Sequence, residues 1–246
     1  ITSIDTDNGL WEYSTDNGSN WTSMGDVSPE SSVLLESTWR VRFVPDSNYN
    51  GFPTFTFQAW DQSNQSVDAT VNGGITAFSV NTATARIEIQ HINDAPVVDS
   101  DLTLDMPDID EDTPDNGQLV SVLLSNIGYF DVDQDLFLNE DVDVPDYNEG
   151  MAIIAADNTN GEWEYSTDDG TNWSNIGTVS ISAAQLLDPD DRVRFNPIDD
   201  YNGHNINFAF KAWDQSDPST NASINGGITA FSINTVDVQI DVVNIN

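Results

Sequence analysis

Three aspartates in the segment FDVDQD have a spacing that suggests metal chemistry. Asp131, Asp133 and Asp135 alternate with other residues, so an extended or looped backbone can present several hard oxygens to one cation. Calcium favours such ligands, because it takes roughly 6–8 oxygen atoms in a flexible geometry. The segment is not an EF-hand, since the positions that need glycine and a bidentate glutamate hold Leu136 and Val142.

The overall charge indicates which partners suit the chain. Its 246 residues include 42 acidic and 6 basic side chains, a formal net charge of −36. Such a chain is unsuited to nucleic acid or to an anionic membrane surface, because both are bound mainly through Lys and Arg. There is no cysteine, and no apolar run reaches the roughly 18–20 residues of a membrane span. We therefore expect acidic packed domains, with neither nucleic acid nor membrane insertion among their partners.

A long internal repeat organises the chain. WEYSTDNGSNW at 11–21 and WEYSTDDGTNW at 163–173 are identical at nine of eleven positions. RVRF, YNG, AWDQS and NGGITAFS also recur, at an offset of 152 residues that becomes 153 after the YNG motif. A repeat of this length is a domain and not a solenoid unit.

The repeat predicts where the modules begin and end. Residues 95–246 form one complete module, and residues 1–94 form the later part of another, without the first strands. We expect the chain to be an internal piece of a longer protein. A module frame of 1–150 is the alternative. Residues 95–150 carry 16 Asp and Glu and no basic residue, so an acidic linker is a second reading of that segment.

Alternating apolar and polar residues predict the fold class. Runs such as RVRF, FAFKAW and VDVQIDVV have a period of two and are bounded by turn residues, which is typical of strands. Many short strands predict an all-β protein of tandem antiparallel, immunoglobulin-like β-sandwich modules. VSVLLSNI at 120–127 is predicted as a buried strand followed by a turn. ISAAQLLDPDD at 181–191 is the candidate for one short helical turn.

The repeated WEYS motif has a structural and a functional interpretation. Trp163 and Tyr165 point to one face of a strand, and the Asp-Gly or Asn-Gly pair that follows supplies the positive φ of a hairpin turn. Trp173 on the return strand is then expected beside Trp163. The alternative is an aromatic platform that stacks on sugar rings.

Several motifs in a fixed order resemble the bacterial cadherin-like repeats of large calcium-dependent surface adhesins of the repeats-in-toxin type. They are Asn-Asp-Ala-Pro at 93–96, Glu-Asp-Thr at 111–113, D-x-D-x-D at 131–135, and an F-x-P…YNG…AWD segment. The resemblance covers 95–246 and the later part of a module in 1–94. The strict cadherin linker D-x-N-D-N is absent, because His-Ile-Asn-Asp-Ala stands at 91–95.

The resemblance implies cadherin-like β-sandwiches with Ca²⁺ at the junction between consecutive modules. It places the linker residues, the first-loop glutamate and the D-x-D loop on one module face. The metal ligands it implies are Asn93, Asp94, Glu111, Asp131, Asp133 and Asp135, together with Asp214 and its counterpart Asp61. It also implies an extracellular, cell-surface spacer whose partners are adjacent repeats of the same chain, with neighbouring chains as candidates to complete 1–94.

Other functions remain as alternatives at this stage. One is a carbohydrate- or protein-binding β-sandwich module, and another is a subunit of a self-assembling surface filament. We do not expect an enzyme. The sequence has no nucleophile elbow, phosphate loop or histidine-rich metal site, and its two histidines, His91 and His204, stand in different repeat contexts.

Overall fold

The computed structural model describes residues 1–99, 102–112, 115–133 and 149–245. These residues form sixteen strands and one short helix, which group into two compact units. Unit 1 comprises Ile1–His91, and unit 2 comprises the described residues from Ile92 onward. The predicted all-β sandwich fold is confirmed, because most pairs of strands are antiparallel and each unit contains two sheets.

Unit 1 is built from two three-stranded sheets. Its strands are β1 (Ser3–Ile4), β2 (Gly9–Ser14), β3 (Thr22–Ser23), β4 (Arg40–Pro45), β5 (Thr54–Trp60) and β6 (Phe78–Arg86). One sheet has the order β1-β5-β6 and the other has the order β3-β2-β4. The sheets meet at Trp11, whose ring centroid lies 5.2 Å from that of Phe43 and 4.9 Å from that of Phe55.

Unit 2 repeats this plan and adds further elements. Its strands are β7 (Thr103–Asp105), β8 (Ile109–Asp110), β9 (Gln118–Leu119), β10 (Gly150–Ala156), β11 (Gly161–Ser166), β12 (Ser174–Asn175), β13 (Gln185–Leu187), β14 (Arg192–Pro197), β15 (Gly203–Trp213) and β16 (Val236–Val243). One sheet has the order β13-β10-β15-β16-β7, with β8 also on β16, and the other has the order β12-β11-β14-β9. The strands β7 and β8 run parallel to β16.

The predicted strand at 120–127 is wrong, because Val120–Ser125 forms the helix α1. Its buried residues Val120, Leu123 and Leu124 follow the i, i+3, i+4 spacing of one helix face. A short apolar run fits both a strand and a buried helix, so periodicity could not decide between them. Among the described residues, no helix has the length and apolar character needed to cross a membrane.

The helical turn expected within 181–191 is also wrong. Gln185–Leu187 forms β13, which pairs with β10 in the register Met151↔Leu187. This pairing leaves the side chain of Leu187 only 1% exposed. Burial of an apolar side chain against a neighbouring strand therefore outweighs the local propensity of the segment.

The hairpin interpretation of the WEYS motif is confirmed in both copies. Asp169 has φ 56° and Gly170 has φ 85°, and the Asn-Gly pair of unit 1 has positive φ as well. The expected packing of Trp173 beside Trp163 is wrong. Trp163 is buried, whereas Trp173 lies under the guanidinium of Arg194, 4.0 Å from its ring centroid. A cation–π contact thus holds the second tryptophan at the surface.

Candidate metal centre

Five of the eight predicted ligands, four aspartates and Asn93, meet at one end of unit 2 and are joined by short hydrogen bonds. The backbone N–H of Asp94 donates to Asp133 Oδ2 at 2.6 Å, and the backbone N–H of Asp133 donates to Asp131 Oδ1 at 2.9 Å. The side-chain amide of Asn93 donates to Asp214 Oδ2 at 2.9 Å and to the Thr229 carbonyl at 3.1 Å. With Asn93 included, the cluster contains five of the eight residues implied by the resemblance.

The backbone explains why residues so distant in sequence come together. Val97 and Phe130 exchange two backbone hydrogen bonds of 2.8 and 2.9 Å, which bring the segment after Asp94 beside the start of the D-x-D loop. Asp214 directly follows β15, and its own N–H donates to the Ala230 carbonyl at 3.1 Å. Strand ends and one isolated bridge therefore position the cluster.

Three of the four carboxylates of the cluster are strongly desolvated. Asp131 is 3% exposed, Asp133 is 2% exposed and Asp214 is 0% exposed. Burial raises the pKa of Asp131 to about 6, and the negative charges of Asp214, Asp133 and Asp94 add to the rise against the opposing hydrogen bond from the Asp133 N–H. Buried like charges are unfavourable unless a proton or a cation compensates them.

Two oxygens of the cluster are buried without a hydrogen-bond partner in the described part of the chain. They are Asp131 Oδ2 and Asn93 Oδ1. Buried polar atoms are nearly always paired in folded proteins, so each unpaired one calls for an explanation. A carboxylate oxygen and an amide oxygen are both ligands that calcium accepts. The N–H donors of the cluster already bind other oxygens, so they do not satisfy these two.

The cluster is not a finished metal centre. Within the described ranges, no three acidic or histidine side chains converge in the manner of a preformed site. Two of its oxygens already accept backbone hydrogen bonds, because Asp214 Oδ1 accepts the Ser216 N–H at 2.7 Å and Asp133 Oδ2 accepts that of Asp94. Each of these oxygens has a second lone pair that a cation could use. Asp135, a further predicted ligand, lies outside the described residues.

Glu111 does not join this cluster. Glu111 follows β8 and lies at the C-terminal end of β16, where its N–H donates to the Val243 carbonyl at 2.9 Å. Asp214 follows β15, and the nearby part of β15 pairs with Val236 at the N-terminal end of β16. The eight residues of β16 span about 23 Å. The carboxylate of Glu111 is buried and accepts hydrogen bonds from the Ile245 N–H at 3.1 Å and from two amides.

The parallel strands account for the separation. The chain leaves the cluster at Asp94, runs along β16 as β7 and β8, and reaches Glu111 at the far end. Spacing in the sequence cannot reveal this direction, because an antiparallel connection of the same length would have returned the glutamate to the cluster.

Asp61 lies in unit 1, whereas the other implied ligands that the structure describes belong to unit 2. Its Oδ1 accepts the Ser63 N–H at 2.8 Å, which repeats the Asp214–Ser216 contact. The hydrogen bonds with Ser63 lower the pKa of Asp61, and the residue is exposed. Asp61 therefore has the local geometry of its counterpart without the buried neighbours.

Two residues that sequence reasoning missed border the cluster. The buried hydroxyl of Tyr129 has no hydrogen-bond partner in the described ranges, and burial followed by the charges of Asp131, Asp214 and Glu149 raises its pKa. Burial also raises the pKa of Glu149. The position of Tyr129, two residues before the D-x-D motif, is the only sequence signal that could have indicated it.

Comparisons with known proteins do not assign the chain to a family. No family model and no curated protein matches it. Among solved structures, an endo-fucoidan hydrolase from glycoside hydrolase family 107 matches with a TM-score of 0.31 and 15% sequence identity. The match covers 85% of this chain and 21% of that chain, so this chain spans about a fifth of that protein. At such a TM-score the likeness carries no argument about function.

Proposed function

We propose that the chain is a calcium-stiffened spacer of an extracellular cell-surface adhesin, with Ca²⁺ bound at the cluster of Asn93, Asp94, Asp131, Asp133 and Asp214. The observation that carries this proposal is the pair of buried, unpartnered oxygens on Asp131 and Asn93. They lie among carboxylates that have lost most of their hydration, so a divalent cation would satisfy both the hydrogen-bonding deficit and the charge.

A cation at this position would have a mechanical consequence. Asn93 and Asp94 belong to the segment that leads into the first strands of unit 2, whereas Asp131, Asp133 and Asp214 belong to its body. Without a metal, this segment is held to the cluster by hydrogen bonds such as the 2.6 Å contact of the Asp94 N–H. Metal coordination by both parts would fix the entry segment to unit 2, which is the property that a spacer of tandem modules needs.

The proposed extracellular setting agrees with the chemistry of the chain. Calcium sites of extracellular modules commonly have dissociation constants of roughly 10⁻⁴–10⁻³ M, so a weak site of this kind would be filled at millimolar calcium. The net charge of −36 is compensated more readily when cations are bound. The expected partners are adjacent repeats of the same chain.

A sugar-binding platform receives less support. Trp11 is 3% exposed and Trp163 is 0% exposed, so the first tryptophan of each WEYS motif is a core residue. The second tryptophan of each copy is covered on one face by an arginine, with Arg42 4.2 Å from the Trp21 ring centroid. Within each hairpin, one ring is therefore in the core and the other is stacked on an arginine.

A calorimetric titration with CaCl₂ tests the proposal directly. We expect saturable binding and a higher melting temperature in calcium than in chelator, because a ligand of the folded state stabilises by mass action. Magnesium at the same concentration is the control, since it demands near-ideal octahedral geometry and loses its water reluctantly. A melting temperature that is the same in calcium, magnesium and chelator would refute the calcium site.

A matched pair of aspartate variants locates the site. Asp133→Ala should weaken calcium binding about tenfold or more, because the variant loses a buried ligand. Asp168→Ala should leave the affinity unchanged, because Asp168 serves the hairpin turn, where it accepts the Asn172 N–H at 2.7 Å. Calcium affinities from the same titration check both. Equal losses in the two variants would place the metal elsewhere.

A further inference from the structure

Glu149 lies beside Asp214 at the end of the β10–β15 pair. Gly150, the first residue of β10, is paired with Trp213, the last residue of β15. Because the two strands are antiparallel, the next residues outward, Glu149 and Asp214, lie opposite each other. The side-chain amide of Gln215 donates to the Glu149 carbonyl at 3.2 Å and holds the two chain segments together at this point. The backbone therefore brings a further carboxylate to the end of unit 2 that contains the candidate metal centre.

The side chains of Glu149 and Asp214 belong to the face of the sheet that covers the core. Successive side chains of a strand alternate between faces, so Glu149 shares its face with Met151, and Asp214 shares its face with Ala212. Met151 and Ala212 are paired in the register, and both are 0% exposed within the main core of unit 2. Asp214 is fully buried and Glu149 is half-buried. The alternation therefore places the Glu149 carboxyl on the same side of the sheet as that of Asp214.

Tyr129 connects this position with the rest of the cluster. Its ring packs against the core of unit 2, whereas its hydroxyl is buried without a hydrogen-bond partner in the described part of the chain. Burial raises the pKa of this hydroxyl, and the negative charges of Asp131, Asp214 and Glu149 add to the rise. Coulombic effects weaken with distance, so Glu149 lies near the same hydroxyl as two members of the cluster. A phenol hydroxyl supplies one donor, which a carboxylate can accept.

Glu149 adds to the charge that needs compensation at this end of unit 2. Burial raises its pKa, so its ionised form is disfavoured in the same way as that of Asp131. None of the ion pairs within the described ranges involves Asp131, Asp214 or Glu149. Buried carboxylates without a basic partner are stabilised by a bound cation.

We propose that Glu149 is a further calcium ligand of this cluster and that the Tyr129 hydroxyl is the hydrogen-bond donor that positions its carboxylates. This inference rests on the calcium site proposed above. The number of charged ligands and the rigidity of a site set its affinity for calcium. Carboxylates that ligate a metal are themselves held by hydrogen bonds from surrounding groups. A cation that also binds Glu149 would tie the start of β10 to the entry segment at Asp94 and to the loop at Asp131.

Calcium titration of Glu149→Ala tests the ligand. The affinity for CaCl₂ should fall about tenfold or more, because the variant loses a charged ligand. Glu162→Ala is the matched control, since it removes the same charge from a half-buried glutamate of β11 in the other sheet. This control should bind calcium as the wild type does.

Terbium, which occupies calcium sites, distinguishes a ligand from a charge that is merely nearby. The decay of terbium luminescence in H₂O and in D₂O counts the water molecules bound to the ion. Glu149→Ala should increase this count by about one, because water takes the place of the lost protein oxygen. Glu162→Ala should leave the count unchanged.

Tyr129→Phe tests the positioning role, because it removes only the hydroxyl. We expect calcium affinity to fall about tenfold while the number of bound waters stays the same. In chelator, the melting temperature of the variant should be no lower than that of the wild type, since a buried hydroxyl without a partner is lost. Tyr165→Phe, at a tyrosine packed against the same core, is the control and should not change the affinity.

The outcomes separate this inference from the proposed function. A wild-type chain that binds no calcium would refute the calcium site and this inference with it. Saturable binding by the wild type, together with an unchanged affinity or an unchanged water count in Glu149→Ala, would overturn the role of Glu149 and leave the site in place. An unchanged calcium affinity in Tyr129→Phe would likewise overturn the role of Tyr129.

Discussion

In the metal-free protein, Asp131→Asn should raise the free energy of unfolding at pH 7 by about 2–3 kcal/mol. Burial raises the pKa of Asp131 from 3.8 to about 6, so the folded state at neutral pH contains a carboxylate that its surroundings disfavour. Asparagine keeps an oxygen for the Asp133 N–H and removes the charge. In calcium the order should reverse, because the variant loses a charged ligand and with it the stabilisation by the metal.

The pH dependence gives the same prediction a second check. A carboxyl group whose pKa is higher in the folded state makes that state bind more protons, so the stability of the metal-free wild type falls as the pH rises from about 4 to about 6. The difference between wild type and Asp131→Asn should therefore grow across this window and then level off. Urea unfolding with chelator at four pH values measures it. A variant that is less stable than wild type without metal would contradict the charged cluster.

The repeat and the period-two patterns were sufficient to predict the sandwich, because alternation reports directly which strand faces are buried. They did not predict α1, where only Val120, Leu123 and Leu124 carry the helical spacing. Six residues are too few for a period to emerge, and the groove in which they pack is assembled by residues distant in sequence. Local pattern therefore predicts elements better than it predicts what fills the space between them.

The candidate site was also predictable only in part, because the sequence does not report how distant segments pair. The D-x-D motif and the Asn-Asp pair identified groups that do meet, since a single bridge between Val97 and Phe130 joins them. Glu111 was grouped with them on the strength of sequence order alone. Its place at the other end of β16 depends on the parallel pairing of β7 and β8, which no residue pattern in those short strands reports.

A matched pair of core substitutions should have the largest effect on stability and should separate the two units. Phe195 and Phe43 are counterparts, and their rings lie 5.3 Å from Trp163 and 5.2 Å from Trp11. Their surroundings differ, because Phe195 is 0% exposed whereas Phe43 is 7% exposed in a smaller core. Phe→Ala in a closed core costs about 3–5 kcal/mol, and a site with freedom to relax costs less.

We therefore expect two calorimetric transitions, with unit 1 unfolding first because more of its apolar surface remains in water. Phe195→Ala should lower the upper transition by roughly 10 °C, since 1 kcal/mol corresponds to about 2–4 °C in a domain of this size. Phe43→Ala should reduce the melting temperature of unit 1 by a smaller amount and leave the melting temperature of unit 2 unchanged. Differential scanning calorimetry in chelator, which removes any contribution of bound metal, measures both. A single transition that both variants shift equally would mean that the units unfold together, and the difference in burial between Phe195 and Phe43 would then have no independent effect on stability.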